Sequence, residues 1–98
     1  MSNNGITPEK LPPAAIFVWQ RYLAMIASKD AHFSFLESLE EKYKHGGNRT
    51  LAEIAHLEGL LDSHNSCVKA FTDAQKLLAT NDPEAHVEFI NVLKDSDA

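Results

Sequence analysis

Apolar residues recur at three- and four-residue steps along most of the chain, and the runs break where glycine and proline cluster. No stretch alternates apolar and polar residues over a strand's length, and no segment repeats. The first run extends from Pro13 to Lys44 without Gly or an internal Pro, carrying Trp19, Tyr22, Ile26, Phe33, Leu36 and Tyr43 at helical spacing. Ser28-Lys29-Asp30 interrupts its apolar stripe. It is read as one solvated turn of a continuous helix rather than as a cap between two.

His45-Gly46-Gly47-Asn48 reads as a stop: glycine takes the left-handed cap conformation, and Lys42, Lys44 and His45 suit the negative helix end. Thr50 with Glu53 three residues later reads as a capping box. A second helix is predicted from Leu51 to about Ala79. Its seam is expected to have two seven-residue rows: Ile54, Leu61, Val68 and Gln75, then Leu57, His64, Phe71 and Leu78. Asp82 as N-cap and Pro83 at the first helical position predict a third, short helix to about Lys94.

The fold class predicted is therefore all-α: a long antiparallel hairpin plus a short C-terminal helix, assembling into a helical bundle. Residues 1–12 are expected to form a flexible leader, 13–94 a single domain and 95–98 a frayed tail. Each long helix would span roughly 45 Å at about 1.5 Å per residue. Ala14 to Trp19 is apolar all round the helix, so Phe17, Val18 and Met25 fall outside the Trp19–Tyr22–Ile26 stripe. A second chain is the simplest cover for them, so a homodimer or larger oligomer is expected. Phe17, Val18, Trp19, Tyr22 and Met25 are the predicted association residues, aromatic and methionine side chains being enriched at interface centres.

Composition narrows the function. A 98-residue chain that is 44% hydrophobic holds one core and is too apolar for a disordered tail. A net charge of −5 argues against nucleic-acid binding, and the basic residues form no stripe. A single cysteine, Cys67, excludes an internal disulfide framework and fits a reducing compartment. Met1 to Pro13 has no basic cluster, and the apolar run Ala14 to Ala27 is interrupted by Gln20 and Arg21. Neither a secretory signal nor a membrane span is expected, and the location read is cytoplasmic.

Candidate chemistry is sparse. Glu53-Ile54-Ala55-His56 has the Glu-x-x-His spacing that ferritin-like di-iron bundles use, a likeness of architecture alone. Hairpin pairing is expected to place Glu40 near His56, Glu37 near Glu58 and His32 near His64. Glu37, Glu40, Glu53 and His56 would then offer oxygen and nitrogen ligands to iron, manganese or zinc, with dimerisation completing the set. Only one such motif occurs, and Glu53 is already claimed by the cap. The favoured expectation is therefore no cofactor. His64, with His32 as its expected neighbour, is a polar seam residue suited to fixing register or responding to mild acid. Cys67 lies three residues beyond His64, but no oxyanion hole, phosphate loop or paired-Cys zinc motif accompanies it. The function expected is a non-catalytic helical interaction protein (adaptor, regulator or inhibitor) that self-associates and binds a protein partner. A metal-binding half-bundle is the alternative.

Overall fold

The helix formers between Pro12 and the Gly46-Gly47 break do build one long helix. In the computed structural model, which describes residues 8–96, a 3₁₀ turn over Pro13–Ala15 leads into α1, Ile16–Lys42. The chain then folds back into α2, Leu51–Asn81, and α3 covers Pro83–Ser96. Among the described residues there is no strand. Ser28 to Asp30 lies within unbroken α1, where Ser28 Oγ donates 2.8 Å to the Met25 carbonyl. Pro12 and Pro13 start the helix through the tighter 3₁₀ geometry.

Both turns form by the chemistry expected of them. Gly46 and Gly47 have φ of 111° and 100°, which side chains with a Cβ rarely adopt. Thr50 and Glu53 cap α2 reciprocally: Glu53 N–H donates to Thr50 Oγ1 at 3.1 Å, and Thr50 N–H donates to Glu53 Oε1 at 2.8 Å. Asp82 alone separates α2 from α3. Its N–H donates to the Leu78 carbonyl, closing α2, and its Oδ1 accepts from Ala85 N–H, opening α3.

The main core sits at one end of the hairpin. Leu11, Ala15, Val18 and Trp19 pack there with Ala74, Leu78, Ala85, Phe89 and Val92. A chain of rings runs from Trp19 through Tyr22 and Phe71 to Phe89, linking all three helices. The molecule measures 53 × 28 × 18 Å, and α3 has 14 residues against 31 in α2. At about 1.5 Å per residue, α3 reaches along less than half the hairpin.

Three expectations are corrected by this packing. The ordered chain begins before Pro13: Leu11 N–H donates to the Pro8 carbonyl, and the Leu11 side chain is part of the core. The rest of the expected leader, residues 1–7, and residues 97–98 of the expected tail lie outside the described residues. The seam of α2 combines Leu57, His64, Phe71 and Leu78 with Leu60, Cys67 and Ala74, all buried or half-buried. Ile54, Leu61 and Val68, assigned to the seam by sequence, stand on its exposed flank instead. Three adjacent rows of α2 are apolar, and spacing alone does not say which two face the partner helix. The cross-hairpin register is also shifted. Ser28 lies opposite His64, and the Phe35 ring lies 4.5 Å from that of His56. His32 is about one helical turn beyond Ser28, and its ring meets Phe33.

Candidate interaction surface

The rows that α3 covers at one end of the hairpin continue uncovered to the other. On α1, Trp19, Ile26 and Phe33 stand seven residues apart. Trp19 is buried under α3, Ile26 is half-buried, and Phe33 is 51% exposed. On α2, Val68, Leu61 and Ile54 are 37%, 43% and 39% exposed, while Phe71, one turn from Val68, lies against Phe89 of α3. The 14-residue α3 packs at the Leu11–Trp19 end and leaves the half of the face nearest the loop open. The opposite side of the hairpin differs in kind, with Arg21, Ala24, Ser66, Cys67 and Ala70 lining a shallow groove of mostly small residues.

The residues expected to mediate association divide between core and surface. Val18 and Trp19 are buried, and Tyr22 and Met25 are half-buried. The 3₁₀ turn, Leu11 and α3 supply within one chain the cover that a second chain was expected to give Val18. Phe17 remains at the surface. The exposed row Ile54–Leu61–Val68 was missed as a surface because an apolar heptad row reads as core. Its signal was the excess of apolar rows on α2 over what one partner helix can cover.

The Glu-x-x-His segment has a structural occupation at the loop end. Glu53 receives hydrogen bonds from Lys42 Nζ at 2.7 Å, from the Tyr43 hydroxyl and from Thr50 N–H. The Lys42 ammonium, then the Thr50 amide, then the Tyr43 hydroxyl hold its carboxyl well below the usual glutamate range, at about 2. Carboxylate and ammonium clamp the first turn of α2 onto the end of α1. Glu37 and Glu40 are exposed, and His56 packs edge-on against Phe35. Among the described residues no three His, Cys, Asp or Glu side chains come together as a metal-holding group.

His64 is half-buried in the seam, its Nδ1 2.9 Å from Ser28 Oγ. Cys67 follows on the next turn and lines the small-residue groove. Among the described residues no helix is long and apolar enough to cross a membrane. Comparison with protein families, with curated proteins and with solved structures finds no match for the chain.

Proposed function

We propose that the chain is a non-catalytic helical interaction protein of the reducing cytoplasm, acting through the half of its hairpin face that α3 leaves open. The carrying observation is the exposed set Phe33, Ile54, Leu61 and Val68, continuous with a face that already binds a helix inside the chain. Together they offer roughly 300 Å² of open apolar side chain, within the size range of functional patches on small proteins. An amphipathic helix is the shape such a face accepts, so the protein self-associates as a homodimer, and a helical protein partner docks by displacing the second copy. The Ser28–His64 hydroxyl–imidazole contact lies in the seam with the hydroxyl donating to the Met25 carbonyl, which suits a structural serine and supports a binding role over catalysis.

The test is sedimentation velocity on the wild type and on Leu61→Glu, with circular dichroism confirming that both are helical. Leu61 lies outside the seam, so the variant keeps its fold. The wild type is expected to sediment as a dimer and Leu61→Glu as a monomer. A dimer unaffected by the charge at position 61, or a wild type that is monomeric throughout, overturns the assignment of this face.

A further inference from the structure

We infer that the open half-face is self-complementary: its occupant is the same face of a second copy, antiparallel, on a two-fold axis that passes beside Phe33 and Leu61. The inference rests on the interaction reading above and specifies its geometry.

Charge is the first argument. Lys29, Phe33 and Glu37 follow at four-residue steps along one exposed strip of α1, a basic–aromatic–acidic sequence. A two-fold axis across the helices at Phe33 lays α1 against the partner's α1 in the opposite direction. Each Lys29 then faces the partner's Glu37, and the two Phe33 rings meet at the centre. A parallel arrangement with its axis along α1 would instead set Lys29 against its own copy and Glu37 against its own copy, and like charges so placed disfavour it.

The apolar row of α2 obeys the same symmetry. Ile54, Leu61 and Val68 are evenly spaced about Leu61. The hairpin register set by Ser28–His64 and Phe35–His56 puts Phe33 within about one helical turn of the level of Leu61. One axis therefore serves both helices: Leu61 meets Leu61, and Ile54 meets Val68 of the second copy. Area sets the strength. Two such patches bring together roughly 600 Å² of apolar surface, short of the roughly 1,200 Å² at which stable interfaces begin. A weak, concentration-dependent dimer follows.

The experiment is a charge-reversal cycle read as the dimer dissociation constant by sedimentation equilibrium at low salt. Lys29→Glu alone and Glu37→Lys alone each set like charges across the interface twice, and each is expected to weaken the dimer about tenfold. The double variant Lys29→Glu with Glu37→Lys restores opposite charges and is expected to recover the wild-type constant to within a few-fold. Both positions are exposed, so folding is not at issue. Single variants that weaken the dimer without rescue in the double variant overturn the two-fold register. If Leu61→Glu still dissociates that dimer, the interaction reading survives and only the symmetry is wrong. A dimer indifferent to all of these changes overturns both.

Discussion

Ser28 and His64 form a polar contact joining α1 to α2 midway along the hairpin, with Oγ and Nδ1 2.9 Å apart. The serine hydroxyl has a single hydrogen, and the Met25 carbonyl takes it at 2.8 Å. With the hydroxyl hydrogen on the Met25 carbonyl, the imidazole Nδ1–H donates to Ser28 Oγ. A seam position that would otherwise hold a leucine thereby carries a directional bond. That bond sets which residues stand opposite each other.

Removing one partner strands the other. Ser28→Ala leaves the His64 Nδ1–H without its acceptor and is expected to destabilise the fold by about 1–3 kcal/mol in urea unfolding. Ser28→Ala combined with His64→Leu removes both polar groups and is expected to fall nearer to the wild type than the single variant. A double variant as unstable as the sum of the two singles would mean that the contact is not coupled.

The loop end should respond to acid through Glu53. Its carboxyl is held at about 2 in the folded state, below the ordinary glutamate value, so the clamp is present in full above about pH 4.3 and is lost as pH falls toward 2. The gap in melting temperature between wild type and Glu53→Gln is expected to be constant from pH 7 to 5 and to close below that. A gap that widens as pH falls would reverse the assigned sign.

Glycine is required at the turn for two separable reasons. Gly46→Ala meets open space and suffers only the strain of a positive φ, about 1–2 kcal/mol. A Cβ at position 47 would also approach the Tyr43 ring to 3.2 Å, and Tyr43 holds Glu53. Gly47→Ala is therefore expected to lower the melting temperature more than Gly46→Ala does. Equal effects would show that the ring yields freely.

Two phenylalanines should separate folding from association. Phe89 is fully buried at the junction of the three helices, and Phe89→Ala is expected to cost about 3–5 kcal/mol of stability. Phe33→Ser lies on the open face and is expected to leave the chain's intrinsic stability nearly unchanged while weakening the dimer. Thermal unfolding at low concentration, set beside sedimentation, reads both effects.

Local signals were legible in the sequence because their chemistry is local. Gly46-Gly47, Thr50 with Glu53, and Asp82-Pro83 each mark an end that their own backbone preferences create, and α1 runs unbroken through Ser28 to Asp30 as its helix formers imply. The facing of the long helices was only half legible. Leu57, His64, Phe71 and Leu78 do lie in the seam, but Leu60, Cys67 and Ala74 take the place of Ile54, Leu61 and Val68, because spacing alone does not choose between adjacent apolar rows. Val18 looked surplus to one chain because nothing in the spacing reveals that Leu11 and α3 fold over it. The cross-hairpin pairing was illegible for a related reason: a register shift of about one turn places Phe35, not Glu40, against His56.

The most direct measurement is native mass spectrometry of the protein purified without chelator and with no metal added. The expected species is a concentration-dependent dimer at the bare mass of two chains. A monomer at every concentration would contradict it, and so would a species carrying the added mass of a bound metal.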